Sequence, residues 1–268
     1  MVALVLKLLG NKSVKNSSFK LVSRFYHPAS KEYVTPETLE PLTYTKTSPE
    51  FRALAHTMEH SVPIHGFTEK AIINSLNTLK MPAAMVSTLG AANSATFLHS
   101  SPAVMELIKF QLVEKRHRLV EGIDAIAEAT RLPALSDLLV KRLKMDIPIA
   151  AHLNQMTAQL MVPSAFMTNV SIPELEKLAD DMIYYSNEED HHDFAWYTKR
   201  AALATTYLAS KAFMAQDSSP NFNQTMEFAQ DKLHNVMKLG DYYNNMEEFA
   251  WFTMMSGVNL AKSQLVKG

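Results

Sequence analysis

The residues of this chain that are best spaced for chemistry are glutamate and histidine pairs three positions apart. The pairs are Glu114 with His117, Glu188 with His191, and Glu189 with His192. Residues three apart on a helix share one face. Di-iron hydroxylases of the ferritin-like class hold iron with two such motifs and two further glutamates, all pointing into a helix bundle. The spacing therefore raises a di-iron carboxylate hydroxylase as one candidate function.

The elements that must position these pairs argue against an iron site. The helix expected over residues 102–121 has a buried face marked by apolar positions, namely Val104, Ile108, Leu112 and Leu119. Glu114 and His117 fall off that face, beside one lysine and two arginines. The other pairs lie in a polar run that should form a loop or a first helical turn. Because iron ligands must point inward, we interpret these residues as solvated charges and expect no metal site.

Other catalytic signatures are absent from the sequence. There is no cysteine, which excludes disulfides, thiolate metal sites and a cysteine nucleophile. We find no glycine-rich phosphate loop and no pattern typical of a serine–histidine–aspartate triad, although a triad is recognised by geometry rather than by order. The residues alone therefore give no positive sign of a catalytic site.

The composition and the helix-start signals predict an all-α fold. The chain of 268 residues is long enough for a substantial core, and seven glycines are few against the usual proportion of about 7%. Helix starts are indicated by caps and first-turn prolines at Thr68, Pro82, Ser101-Pro102, Ser171–Glu174 (a capping box) and Ser219-Pro220. Together these signals predict about nine or ten helices.

One long helix, expected after the cap residue Asp193, has two apolar stripes. The first stripe is Phe194, Tyr197, Ala201, Ala204, Leu208, Ala212 and Ala215, and the second is Trp196, Leu203, Tyr207 and Met214. A surface helix ordinarily has one stripe. Two stripes imply that the helix buries one face and offers the other to something else. On the pattern alone, a central helix packed on both sides is the simpler interpretation.

The first 31 residues differ from the rest in charge. They contain six basic residues and no acid, and without them the chain has a net charge of −7. This composition is typical of a mitochondrial transit peptide; the alternative is an ordinary basic arm. Residues 32–50 are rich in proline and are predicted to form an extended segment before the first helix. No run approaches the ~18 apolar residues of a membrane-spanning helix.

Four long stretches resemble a known family. They are PEFRALAHTMEHSVPIHGFTEKAI (49–72), FLHSSPAVMELIKFQLVEKRHRLVEG (97–122), HDFAWYTKRAALATTYLASKAFMAQDSSPNF (192–222) and NNMEEFAWFTMMSGVNLAKSQLVKG (244–268). They are similar to the fungal branch of a mitochondrial ubiquinone (coenzyme Q) biosynthesis family, whose members are accessory lipid-binding proteins with a TetR-like fold. The resemblance covers most of the chain from about Leu42 onward.

The resemblance implies both a fold and a function. Residues 51–243 would form a TetR-like helical bundle with a helix-turn-helix-like segment at its N-terminal end, and residues 244–268 an amphipathic helix at the membrane. The protein would not be an enzyme and would need no cofactor. From the mitochondrial matrix it would bind an isoprenoid quinone at the inner membrane surface. It would present this lipid to the demethoxyubiquinone hydroxylase, within the coenzyme Q synthesis complex. A homodimer is left open.

A DNA-reading role of the repressor type is not expected. A recognition helix needs basic or amide side chains for bases and phosphates. Residues 81–92, MPAAMVSTLGAA, contain neither a charge nor an amide, and the negative mature chain would repel phosphates. We therefore expect no nucleic acid partner.

The site residues follow from the resemblance. The expected lipid-binding residues are Met156, Leu160, Met161, Phe166, Ala201 and Leu208. The expected hydroxylase contacts are Asp181, Met182, Asp193, Trp196, Tyr197 and Arg200. The expected membrane contacts are Phe249, Trp251, Phe252 and Met255. Each of these three sets has an alternative. The methionines would be core filler. Tyr197, which lies on the first stripe, would be a core residue, and the tail would be a final packing helix.

Overall fold

The computed structural model describes residues 38–91, 93, 96–123, 132–188 and 194–239. Within these ranges the regular structure is helical, apart from an isolated antiparallel bridge between Thr38 and Thr45. None of the described helices is long and apolar enough to cross a membrane. The predicted all-α class is therefore confirmed, whereas the specific likeness to TetR stays a prediction.

The N-terminal half contains five helices in the described ranges. They are α1 (Pro49–His56), α2 (Val62–His65), α3 (Glu69–Thr78), α4 (Met85–Thr88) and α5 (Pro102–Val120). A π-helical turn, Thr57–Ser61, joins α1 to α2. The cap predicted at Thr68 is confirmed, because its hydroxyl accepts a hydrogen bond from the Ala71 amide at 3.3 Å.

The C-terminal half contains five further helices in the described ranges. They are α6 (Leu135–Lys144), α7 (Leu153–Leu160), α8 (Ile172–Tyr184), α9 (Phe194–Met214) and α10 (Asn223–Leu239). The capping box predicted at the start of α8 is wrong. A π-helical turn, Met167–Ser171, runs directly into α8, so Ser171 is already helical and its side chain caps nothing. Glu174 is instead buried in an ion pair with Arg116.

Helix α5 lies at the centre of the molecule. Its buried residues are distributed around the whole helix and include Glu106, Lys109, Lys115 and Arg116. The single buried face predicted for it is therefore wrong. The predicted solvated run of charges around His117 is also wrong, because Lys115 and Arg116 are enclosed by the helices that pack on α5.

Two separate apolar cores surround α5. The first core gathers side chains from α1, α3, the first part of α5, and α7, and includes Leu54, Ile72, Ile108, Phe110, Met156 and Phe166. The second core joins Leu119 to α6, α8, α9 and α10, and includes Leu139, Met182, Leu203, Tyr207 and Leu233. Lys115 and Arg116 lie along α5 between its contributions to the two cores, which end at Val113 and resume at Leu119.

The turn between α2 and α3 is fixed against α7. Gly66 has a positive φ of 66°, and a Cβ atom there would lie 2.6 Å from Oε1 of Gln155. That amide accepts from the Phe67 backbone N–H at 3.0 Å and donates to the Phe67 carbonyl at 2.9 Å. Any side chain at position 66 would disturb this pairing, so glycine is required both for its backbone conformation and for the close approach.

Candidate functional site

The predicted hydroxylase-contact residues lie where the end of α8 meets the start of α9. Arg200 of α9 donates from Nε to Oδ1 of Asp180 at 2.7 Å, and its Nη2 lies 2.6 Å from the same oxygen. This charge-assisted pair joins the two helices. Nearby, Lys199 forms an ion pair with Glu188 at 2.9 Å. Arg200, expected at the rim of a contact surface, is thus largely buried in a contact between helices.

Two of the expected contacts face inward. Met182 is 0% exposed in the second core, and Asp181 is 6% exposed. Asp181 accepts a hydrogen bond from Arg116 Nη1 at 2.8 Å. Neither side chain is therefore accessible to a partner protein. Both lie beneath the expected hydroxylase contact and pack in the interior. The reason is the helical period, which turns Asp181 and Met182 toward α5 while Asp180 faces α9.

The two apolar stripes of α9 have opposite environments. Leu203, Tyr207 and Met214 of the second stripe are buried, whereas Tyr197 and Leu208 of the first stripe are 66% and 48% exposed. The favoured interpretation of a helix packed on both sides is therefore wrong, as is the alternative that places Tyr197 in the core. The structure confirms that α9 buries one face and leaves the other exposed, whereas the expectation that something covers the exposed face stays a prediction. The side chain of Trp196 and the whole of Asp193 lie outside the described residues.

The six predicted lipid-binding residues divide between the interior and the surface. Met156 and Phe166 belong to the first core, and Leu160 packs against it. Met161, Ala201 and Leu208 are exposed instead. The structure therefore groups three of the six in one apolar region and does not join them to the other three. The expected membrane residues Phe249, Trp251, Phe252 and Met255 lie outside the described ranges.

An ionic cluster between the two cores was missed by the sequence interpretation. Its centre is Asp146, which is completely buried just after α6. Three cations surround its carboxylate: Lys115 Nζ at 2.9 Å, Arg142 Nη1 at 3.0 Å and Lys211 Nζ at 3.4 Å. Gln111 also donates to it at 3.1 Å. We call these five residues the ionic layer.

The ionic layer carries more positive than negative charge. Burial alone would raise the pKa of Asp146, but Arg142, Lys211 and Lys115 together hold that pKa far below its ordinary value. Burial lowers the pKa of both Lys115 and Lys211 in spite of the attraction of Asp146. Among the described residues, Oε1 of Gln111 and Nε of Arg142 find no hydrogen-bond partner. Asp146 thus forms ion pairs with all three buried cations.

A second buried network centres on Arg116. Its guanidinium donates to Glu174 at 3.0 Å and to Asp181 at 2.8 Å, which joins α5 to two turns of α8. The neighbouring ring of His117 is half-buried. Burial, and next the positive charge of Arg116, lower the pKa of His117 to about 4. This histidine is therefore neutral at physiological pH.

The glutamate–histidine pair on α5 has no metal-binding geometry among the described residues. Glu114 is half-buried and forms an ion pair with the exposed Arg118 at 3.5 Å, and His117 Nε2 lies 3.3 Å from Arg116 Nη2. No group of three histidine, aspartate or glutamate side chains within the described ranges is placed to hold a metal ion. Glu188 is paired with Lys199, and Glu189, His191 and His192 lie outside those ranges.

Comparison with known proteins identifies close relatives. The family profile described as COQ9 matches residues 168–240. The chain is 57% identical to the mitochondrial ubiquinone biosynthesis protein COQ9 of Saccharomyces cerevisiae, over 91% of this chain and 95% of that protein. It is 42% identical to the COQ9 protein of Eremothecium gossypii over 93% of this chain and 100% of that protein. The human COQ9 protein is 31% identical over 71% of this chain and 58% of its own length.

Proposed function

Because the chain belongs to the COQ9 family of ubiquinone biosynthesis proteins, we propose that it binds an isoprenoid quinone intermediate and presents it to the demethoxyubiquinone hydroxylase. In this proposal the protein does no chemistry on the lipid itself. The observation that carries it is the exposed apolar stripe of α9, which begins at Tyr197 beside the Asp180–Arg200 ion pair. A partner that covers this stripe would gain apolar burial without unfolding any core.

The hydroxylase contact is proposed on the exposed part of the α8–α9 edge. Tyr197 is the described residue best suited to it, since tyrosine and tryptophan dominate the binding free energy at protein interfaces. Trp196 is proposed beside it on the same helix. Asp181, Met182 and Arg200 are given a supporting role. Arg200 joins α9 to α8, Asp181 joins α8 to α5, and Met182 is buried in the second core. Asp193, just before α9, is proposed at the same edge.

The lipid tail is proposed to lie against the first core, beside Met156, Leu160 and Phe166. Methionine side chains are flexible and polarisable, so they suit a wall that must adapt to a prenyl chain. Leu160 is only partly buried there, at the end of α7, so it lies at the edge of the core rather than at its centre. Met161, Ala201 and Leu208 are proposed as contacts that a lipid would make on its way in or out.

Two segments outside the described residues complete the proposal. Residues 1–31 would direct import into mitochondria, and cleavage after about residue 26 would then remove the preceding part. Residues 244–268 would dock on the inner membrane through Phe249, Trp251, Phe252 and Met255. Retention of Met1 by the imported protein would contradict the first of these assignments. Undiminished vesicle binding after Trp251→Asp with Phe252→Asp would contradict the second.

A pull-down with purified hydroxylase tests the partner surface. We expect Tyr197→Ala and Trp196→Ala to weaken capture by about 2 kcal/mol each, as is typical of interface hot spots. Thr205→Ala, an exposed change on the same helix, is the matched control and should bind normally. Melting temperatures must be unchanged for the result to count as a surface effect. Normal capture by both variants would remove this surface from the proposal.

Lipid extraction and mass spectrometry test the ligand. The purified full chain should release an isoprenoid quinone or a related prenylated lipid. Leu160→Trp, which fills space at the edge of the first core, should reduce the amount released. Asn154→Trp, an exposed change on the same helix, should not. Absence of any prenylated lipid from the parent protein would overturn the lipid-binding part of the proposal.

A further inference from the structure

Three large apolar side chains project into solvent on one side of the molecule. Phe97 and Leu98 are 94% and 58% exposed at the tip of the loop of residues 96–101, and Met161 is 70% exposed just after α7. A single exposed apolar residue is ordinary. Neighbouring exposed apolar residues instead mark a surface that something covers. We call this loop together with Met161 the neutral surface.

The loop is held firmly in place by His99. Nδ1 of His99 accepts a hydrogen bond from the Thr96 backbone N–H at 3.1 Å, so in the neutral ring Nε2 bears the hydrogen. That nitrogen lies 3.4 Å from the Ser164 hydroxyl, and the Ser100 backbone N–H donates to Gln159 Oε1 at 2.6 Å. The loop is thus tied to the chain on both sides of Met161, which brings its three apolar side chains to one region.

Both chain stretches that meet at this surface lack charge. No aspartate, glutamate, lysine or arginine occurs from Met81 to Met105, or from Ile147 to Pro173. The polar residues that tie the loop to α7 are serine, threonine, glutamine and histidine. Charged residues make up 20% of the whole chain. The two stretches that dock on each other therefore differ from the rest of the molecule in having no charged residues.

We propose that the neutral surface inserts into the interfacial region of a phospholipid bilayer, as a membrane contact separate from the C-terminal segment. A charge is costly to bury in lipid, and this surface has none. A phenylalanine and a leucine at the tip of a loop enter the acyl boundary readily. A protein partner is less suited to it, because protein interfaces favour tyrosine, tryptophan and arginine anchors, and those residue types are missing from both stretches.

This contact would bring the bilayer next to the first core. The ring of His99 lies edge-on to Phe166, with ring centroids 6.0 Å apart, and Phe166 is part of that core. A single histidine therefore connects the exposed loop to the apolar interior. The neutral surface would enter the bilayer in the same way whichever lipid the protein carries.

The absence of cysteine allows a direct test in the full chain. Single cysteines are introduced by Phe97→Cys, by Met161→Cys and, as a control, by Gln230→Cys on the exposed side of α10. Each is labelled with an environment-sensitive dye and mixed with vesicles of phosphatidylcholine, phosphatidylethanolamine and cardiolipin. We expect the dyes at positions 97 and 161 to shift to the blue and to be quenched by nitroxide-labelled acyl chains. The dye at position 230 should stay unchanged.

A paired substitution measures the strength of the contact. Phe97→Ser with Leu98→Ser should lower the vesicle partition coefficient by about tenfold or more, because each lost apolar side chain contributes to burial. Both positions are exposed, so the helical circular dichroism and the melting temperature should match those of the parent.

Partition that is unchanged by the pair overturns the inference. So does a dye at position 97 that stays in water while the protein floats with the vesicles, or a parent protein that does not float. A dye at position 97 that responds to the hydroxylase but not to vesicles would also overturn it, and would assign the surface to a protein.

Discussion

The ionic layer and the neutral surface depart from the usual distribution of side chains in opposite directions. The ionic layer buries three cations around one carboxylate at the junction of the two cores. The neutral surface exposes a phenylalanine, a leucine and a methionine where charged side chains would be normal. Buried charges must be satisfied inside the fold, whereas exposed apolar residues are satisfied only by something outside it. The first region should therefore govern folding, and the second should govern binding.

The largest effect is expected at the centre of the ionic layer. Asp146→Asn removes the carboxylate and leaves Lys115, Arg142 and Lys211 buried together. Breaking a buried ion pair from one side costs about 3–5 kcal/mol, so the free energy of unfolding should fall by about that amount in a denaturant titration. Asp137→Asn, at an exposed position of α6, is the matched control and should change it by less than about 1 kcal/mol. Equal small effects for both would mean that the layer contributes little to stability.

Removing Arg116 should cost nearly as much and should respond to pH. Arg116→Met leaves the carboxylates of Glu174 and Asp181 without their shared cation, at a cost of about 3 kcal/mol near neutral pH. Unpaired buried carboxylates take up protons, so the deficit relative to the parent should shrink as the pH falls from 7 to 5. Arg118→Met, two residues further along α5 and exposed, serves as the control. A deficit that is independent of pH would argue that lost packing, not charge, is responsible.

An intermediate effect is expected from His117. Its pKa is about 4 in the folded protein and about 6.5 in an unfolded chain. Between these values the unfolded chain binds more protons, so this group makes the protein less stable as the pH falls from about 6.5 to about 4. The loss should amount to about 1–3 kcal/mol, since the ring is partly exposed. His117→Gln should flatten this part of the pH profile, and the difference between the two profiles isolates the contribution of the histidine.

The smallest change in stability is expected at the neutral surface. Phe97→Ser with Leu98→Ser should alter the free energy of unfolding by less than about 0.5 kcal/mol, as is usual for exposed positions away from special features. The same pair should weaken vesicle binding markedly, which the flotation assay measures. A large loss of stability would show that the loop supports the first core. The contrast between the two regions would then be wrong.

Much of the architecture was predictable because it is encoded locally. Thr68 marks a helix start by its own hydrogen bond to the backbone, and Pro102 begins α5 where a first-turn proline predicts a helix start. The capping box at Ser171 failed for a reason that is not local. The preceding residues form a π-helical turn that continues into α8, so the chain at Ser171 is already inside a helix.

The functional residues were predictable only in part, because periodicity identifies a stripe but not the side that is buried. The two stripes of α9 are both apolar in sequence. The second stripe is buried because Leu203 and Tyr207 meet α6, α8 and α10 in the second core, while the stripe of Tyr197 is left exposed. The same limit applied to Met182, whose position in a motif says nothing of the direction in which its side chain points.

By itself the sequence determined the helical class, several helix starts, the family and the absence of cysteine chemistry, since each depends on residue type or on spacing along the chain. Only the tertiary structure decided which charges are buried. Lys115 and Lys211 are far in sequence from Arg142 and Asp146, and all four look like ordinary surface residues. They form one cluster because α5, α6 and α9 converge on the point where α6 ends. A charge enters a protein interior only where opposite charges from other helices meet it, and that condition is met in three dimensions rather than along the chain.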